Sequence, residues 1–201
     1  MSREIIAILR GLPPEDAIAV TNGLLEAGIT RIEVPLNSPR PFESIEKMIL
    51  HASDQALIGA GTVLDTVAVQ RLKDIGAQMV VSPDCNPDVI AATKAAGMLS
   101  YPGVLTPTEA FSALRAGADG LKFFPAFKLA VDGFTALKAV LPQDTKTYAV
   151  GGVGPGNFAE WKAAGITGFG IGTSLYKPGQ SAKEVAANAR ALVKAYDEVA
   201  L

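Results

Sequence analysis

Histidine and cysteine are almost missing from this chain of 201 residues, which holds one of each. With Cys85 alone no internal disulfide can form, and a reducing compartment, the cytoplasm, is expected. His51 ends a helical pattern that starts near Phe42, where a partly cationic ring suits the helix dipole. One histidine is too few for a histidine-rich metal site or a serine–histidine triad. No carboxylates cluster at a strand end, so neither a metal nor a cofactor is expected. The charge balance is close, 18 basic against 20 acidic residues, and no basic stretch stands out, so nucleic acid is not an expected partner. No segment stays apolar for the ~20 residues that a membrane span requires. Met-Ser-Arg-Glu-Ile-Ile lacks the basic-then-apolar layout of a secretion signal.

Aromatic residues are also few, while aliphatic residues, alanine and glycine abound. That balance suits buried strands alternating with alanine-faced helices. The chain divides into eight strand-then-helix units. Strands are expected at 4–9, 31–35, 57–61, 78–82, 98–101, 120–124, 146–150 and 168–171, all short and apolar on both faces as buried parallel strands are. Helices are expected at 15–27, 41–52, 65–75, 87–96, 107–116, 131–140, 155–164 and 181–199. Pro13-Pro14-Glu15-Asp16 and Thr106-Pro107-Thr108-Glu109 are helix openings, with proline tolerated and acids favoured in the first turn. Gly28, Gly76, Gly97, Gly117 and Gly165 are helix stops. Parallel strands joined by helices need right-handed crossovers, and eight such units close most simply into a (β/α)8 TIM barrel. An open doubly wound sheet is the competing architecture, but no Gly-x-Gly-x-x-Gly follows the first strand. The expectation is a single barrel domain over 1–201.

Chemistry in such a barrel belongs at the C-terminal ends of the strands. Lys122 lies there inside Leu121-Lys122-Phe123-Phe124-Pro125, an apolar run that would normally exclude an ammonium group. An unperturbed lysine is neutral in only about one molecule in a few thousand at pH 7, so a catalytic amine needs burial or nearby cations. Glu33, in the second strand, is the matching carboxylate. The pair admits two readings. One is a structural ion pair; the other is a carboxylate that moves protons through water, with Arg10 offsetting its field. Arg10 at the first tip has a planar fork suited to a carboxylate. Val150-Gly151-Gly152 at the seventh tip and Gly172-Thr173-Ser174 at the eighth offer backbone N–H groups for a phosphate. Taken singly, either glycine pair is explained by a tight turn.

Glu33-Val34-Pro35-Leu36, Gly59-Ala60-Gly61-Thr62-Val63, Ser82-Pro83, Pro102-Gly103, Lys122-Phe123-Phe124-Pro125-Ala126 and Gly151-Gly152-Val153 together resemble the 2-keto-3-deoxy-6-phosphogluconate aldolase family. The resemblance covers essentially the whole chain, in order. It implies a metal-free class I aldolase, generally a trimer, acting on a small phosphorylated keto acid. It further implies Lys122 as the Schiff-base residue and Glu33 as the proton carrier. Arg10 and Thr62 would hold the substrate carboxylate, Pro83 and Gly103 would shape the wall, and the two last tips would hold phosphate. Ile8-Leu9-Arg10-Gly11 at the first tip and Val150 before the glycine pair are similar to the galactonate branch, not the gluconate branch. Phe127-Lys128-Leu129-Ala130 departs from that branch. The gluconate epimer and a phosphate-binding barrel isomerase or epimerase remain the alternatives, with a non-catalytic sugar-phosphate sensor as a third.

Overall fold

The computed structural model of the protein describes residues 3–199. In chain order its elements are β1 (Ile5–Ile8), α1 (Ala17–Ala27), β2 (Arg31–Pro35), α2 (Pro41–Ala52), β3 (Leu57–Gly61), α3 (Thr66–Asp74), β4 (Met79–Val81) and α4 (Pro87–Ala95). They continue as β5 (Leu99–Tyr101), β6 (Gly103–Val104), α5 (Pro107–Arg115), β7 (Leu121–Phe123), α6 (Ala126–Lys138), β8 (Thr147–Val150), α7 (Phe158–Ala163), β9 (Gly168–Ile171) and α8 (Ala182–Val199). A single 3-10 turn, Ser53–Gln55, separates α2 from β3.

All strand pairings are parallel, in the order β5-β4-β3-β2-β1-β9-β8-β7-β6. The two ends of that series, β5 and β6, are separated along the chain by Pro102 alone. They are one strand in two pieces, so the sheet closes on itself and the expected eight-stranded barrel is present. The break follows from Pro102, which has no N–H to give to a ladder. Its carbonyl still accepts from the Lys122 N–H at 2.9 Å, which keeps β7 in register across the gap.

Alternation along each strand separates two cores. Ile6, Met79, Val81, Tyr101 and Tyr148 fill the barrel interior. Their neighbours Ile5, Ala7, Val80 and Ala149 face outward into a larger cluster with α1 to α8, including Val20, Leu24, Phe134, Phe158 and Leu192. At about 1.5–3 kcal/mol for each large side chain fully buried, the outer layer carries most of the stabilisation. That leaves the interior of the upper strands available for polar side chains.

The helix stops at Gly28, Gly76, Gly97, Gly117 and Gly165 all take positive φ, as read from the sequence. Thr106 and Glu109 form a reciprocal capping box at the start of α5. Two helix starts lie three or more residues from expectation. Helix α6 begins at Ala126, five residues before the expected Val131, and is interrupted at Ala130 (φ 55°, ψ 175°). Helix α7 begins only at Phe158, because 154–157 form a turn closed by Asn157 N–H on the Gly154 carbonyl at 3.1 Å. Among the described residues no helix is long and apolar enough to cross a membrane.

Candidate active site

A cavity of about 320 Å³ opens at the C-terminal ends of β1, β2, β7, β8 and β9. Lys122 enters it from the middle of β7, and with the adjacent Phe123 fully buried the strand cannot swing it into water. Only 6% of Lys122 is exposed, and its Nζ lies 4.8 Å from the centre of the Phe124 ring. Among the described residues no carboxylate oxygen stands within 4.0 Å of that nitrogen. Burial therefore holds the Lys122 amine below the ordinary lysine range; Glu33 pulls it back up and Arg10 presses it further down.

Glu33 reaches the same cavity from β2, where alternation puts it on the inner face. It is 1% exposed, and its Oε2 has no hydrogen-bond partner. An unsatisfied buried acceptor costs about 1–3 kcal/mol, so its retention calls for a use. Burial pushes the Glu33 carboxyl up to about 7, against the opposing pull of Lys122 and Arg10. Gly61 on β3 makes room for this carboxylate: a Cβ at 61 would lie 1.8 Å from Glu33 Oε2.

Arg10 sits at the solvent edge of the cavity, just beyond β1. Its Nη1 donates to Asn37 Oδ1 at 2.5 Å and to Thr62 Oγ1 at 3.4 Å. Two strands round the barrel, after β8, Gly151 and Gly152 take φ of 93° and 73°, a backbone that exposes N–H groups and that side chains resist. Asn157 braces that loop, accepting from the Gly154 N–H at 3.0 Å and donating to the Gly152 carbonyl at 2.9 Å. On the next tip the Gly172 carbonyl accepts from Leu175 and Tyr176, while the N–H groups of Gly152, Thr173 and Ser174 make no backbone hydrogen bond among the described residues. Free donors facing one cavity from two neighbouring strands suit an anion.

Nine of the residues singled out in the sequence line this cavity: Arg10, Glu33, Lys122, Val150, Gly151, Gly152, Gly172, Thr173 and Ser174. Three do not. Thr62 touches it only through Arg10. Pro83 and Gly103 meet each other outside it; a Cβ at 103 would lie 2.2 Å from the Pro83 carbonyl oxygen, so glycine permits a close strand-end approach. Ile8, Gly11, Phe124, Val153, Gly170, Tyr176, Lys177 and Pro178 complete the lining, and sequence reasoning gave none of them a site role. The last three belong to the Tyr-Lys-Pro-Gly stretch that closely follows the eighth tip, and that adjacency was the available signal. Cys85 bonds the Glu109 carbonyl and does not line the cavity. Among the described residues no group of three or more histidine, cysteine or acidic side chains is placed to hold a metal.

The family model for KDPG and KHG aldolase matches residues 1–190. A Rhizobium meliloti (strain 1021) protein, "Probable 2-dehydro-3-deoxy-6-phosphogalactonate aldolase", is 55% identical over 199 residues, 99% of this chain and 94% of that protein. The "2-dehydro-3-deoxy-6-phosphogalactonate aldolase" of Escherichia coli (strain K12) is 46% identical over 194 residues, 96% of this chain and 95% of that protein. A solved structure described as "Native KDPGal structure" superposes with a TM-score of 0.98 at 45% identity, covering 100% of this chain and 97% of that one.

Proposed function

The chain belongs to the KDPG and KHG aldolase family, and from that premise we propose that it cleaves 2-dehydro-3-deoxy-6-phospho-D-galactonate to pyruvate and D-glyceraldehyde 3-phosphate through a Schiff base on Lys122. The observation that carries this reading is a buried amine and a buried carboxylate in one cavity with no ion pair between them. A structural pair would close to bonding distance; this one stays open, with room for substrate and water.

In the proposed sequence the neutral Lys122 amine attacks the C2 ketone and water leaves, giving a protonated imine. Glu33 takes the proton of the C4 hydroxyl. The C3–C4 bond breaks, its electrons pass into the iminium to form an enamine, and glyceraldehyde 3-phosphate departs. Glu33 returns the proton to C3, and water hydrolyses the new imine to pyruvate and free amine. A carboxyl held at about 7 can give and take protons at neutral pH, the condition for efficient general acid–base work. Arg10, near Asn37 and Thr62, would hold the carboxylate, and the Gly151-Gly152 and Thr173-Ser174 tips the phosphate.

Borohydride reduction in the presence of pyruvate tests the reading. A reduced three-carbon adduct on the Lys122 peptide is expected; an unmodified Lys122 under turnover conditions would overturn it in favour of an isomerase or epimerase. Rates on the galactonate and gluconate substrates, epimeric at C4, decide the branch, with the galactonate epimer expected to be preferred. Leu64, Val67, Leu105 and Phe127 leave exposed apolar surface after β3, β6 and β7, which supports a homotrimer as the working assembly. Sizing by light scattering tests that. The lone Cys85 supports the cytoplasm as the working compartment.

A further inference from the structure

We propose that Lys177 provides the cation that recognises the terminal phosphate of the substrate, which makes it a specificity residue for the reaction above. The inference rests on that reading of the cavity and adds to it a residue that the strand tips do not announce. Three cationic side chains line the cavity: Arg10, Lys122 and Lys177. Arg10 is engaged with Asn37 and Thr62 at the β1 side, and Lys122 is buried at the reacting centre. The glycine tips supply dipoles but no full charge. Lys177 follows Ser174 by three residues in the loop after β9 and lines the cavity with it.

The backbone under Lys177 is fixed on both sides. Leu175 and Tyr176 are buried, and both N–H groups bond the Gly172 carbonyl at 2.9 Å. Asn188 Nδ2 donates to the Leu175 carbonyl at 3.1 Å. The Lys177 N–H donates to Gln180 Oε1 at 2.8 Å, and the Gln180 N–H returns to the Lys177 carbonyl at 3.1 Å. Pro178 then packs on the loop after β1: a Cβ at Gly11, where φ is 87°, would lie 2.6 Å from Pro178 Cγ. This anchors the base while the Lys177 side chain stays exposed, and among the described residues it forms no ion pair. A compact ammonium on a flexible stem of this kind suits a phosphate that enters and leaves at each turnover. Glu33 is the sole acidic side chain lining the cavity, and it belongs to the reacting centre, so nothing at the phosphate end competes for the charge.

The test uses the full chain with Lys177→Met and Lys177→Arg. Lys177→Met should raise KM for the phosphorylated keto acid about tenfold and leave kcat within about twofold. Exchange of pyruvate methyl protons with D2O, which needs Lys122 but no phosphate, should be unchanged. Addition of pyruvate to unphosphorylated D-glyceraldehyde should be unchanged as well, and Lys177→Arg should restore KM. An unmoved KM in Lys177→Met, or an equal loss with D-glyceraldehyde, overturns the role of Lys177 while leaving the aldolase reading intact. Absence of pyruvate exchange in the unmodified protein overturns the Schiff-base reading and this proposal with it.

Discussion

Each end of the barrel buries charge, and the two ends treat it in opposite ways. At the bottom Glu4 accepts from both Arg31 terminal nitrogens, at 2.5 and 3.1 Å, and from the Tyr148 hydroxyl at 2.7 Å. The Tyr101 ring stands edge-on to Tyr148 with centroids 5.3 Å apart. Nearby, Asp119 accepts from Lys94 and from the Ser100 N–H at 2.8 Å. Here desolvation is offset by bonds, which is what a structural network requires. At the mouth, Glu33 and Lys122 are more deeply buried than these part-exposed groups and receive no such compensation. Their pKa values move toward each other instead, and Glu33, pushed up to about 7, can take and give protons near neutrality. The lower network is paired throughout except at Arg31 Nε, while the charges at the mouth are left without partners and available for chemistry.

Removing the amine is the strongest way to break this comparison. Under the proposed mechanism Lys122→Met should lower turnover by at least about 10⁴-fold, because a covalent nucleophile has no substitute, and should abolish the borohydride adduct. Stability should move the other way. The folded state holds Lys122 below its ordinary range, so protonating it opposes folding at neutral pH, and that penalty fades only as pH rises toward the unfolded lysine value. Melts at pH 7 should therefore show Lys122→Met no less stable than the parent. A large destabilisation would mean that the amine is structural after all.

The carboxylate comes next. Glu33→Gln should reduce turnover by about 10²–10⁴-fold and leave trapping of pyruvate measurable. It should also remove the rise in rate through about pH 7 that ionisation of Glu33 gives the parent. The linked stability effect has a defined sign. A carboxyl raised from 4.5 to about 7 adds stability below its unfolded value and loses it as pH rises through the folded one. Relative to Glu33→Gln, the parent should lose about 3 kcal/mol between those values, read from urea melts across pH 4–9. Gly61→Ala probes the same carboxylate from across the strand gap. The methyl would displace Glu33 Oε2, and a shift of about 1 Å is worth about 10²-fold in rate, with the barrel still folded.

Lys122 and Glu33 were legible in the sequence because each is a charge flanked by apolar residues in its strand. The strands and helix stops were legible too, because buried parallel strands are apolar on both faces and left-handed stops select glycine. What escaped depends on neighbours distant in sequence. The strand resumes beyond Pro102 because Gly103 and Val104 pair with Lys122 and Phe123, and the break at Ala130 puts an alanine at φ 55°, which no local preference suggests. Pro83 and Gly103 stand at strand tips yet do not line the cavity, because the Pro83 carbonyl fills the space that a Cβ at 103 would take. Lys177 reads as a solvated turn residue beside Pro178 and Gly179. Its place on the cavity appears only once Pro178 is seated on Gly11.

The smallest effect sharpens the comparison from the bottom end. Tyr148→Phe keeps the buried ring and its contact with Tyr101 and deletes only the hydroxyl bond to Glu4. Glu4 retains Arg31 and is partly solvated, so the loss should be about 1 kcal/mol of stability, the net value of one hydrogen bond with no orphaned charge left behind. Tyr148 is nevertheless the register partner of Lys122 on the neighbouring strand. If the two ends are independent, kcat and KM stay at parental values while the melting temperature falls. If turnover falls in step with stability, the bottom network is positioning Lys122 through β8, and the division between a holding end and a reacting end is wrong.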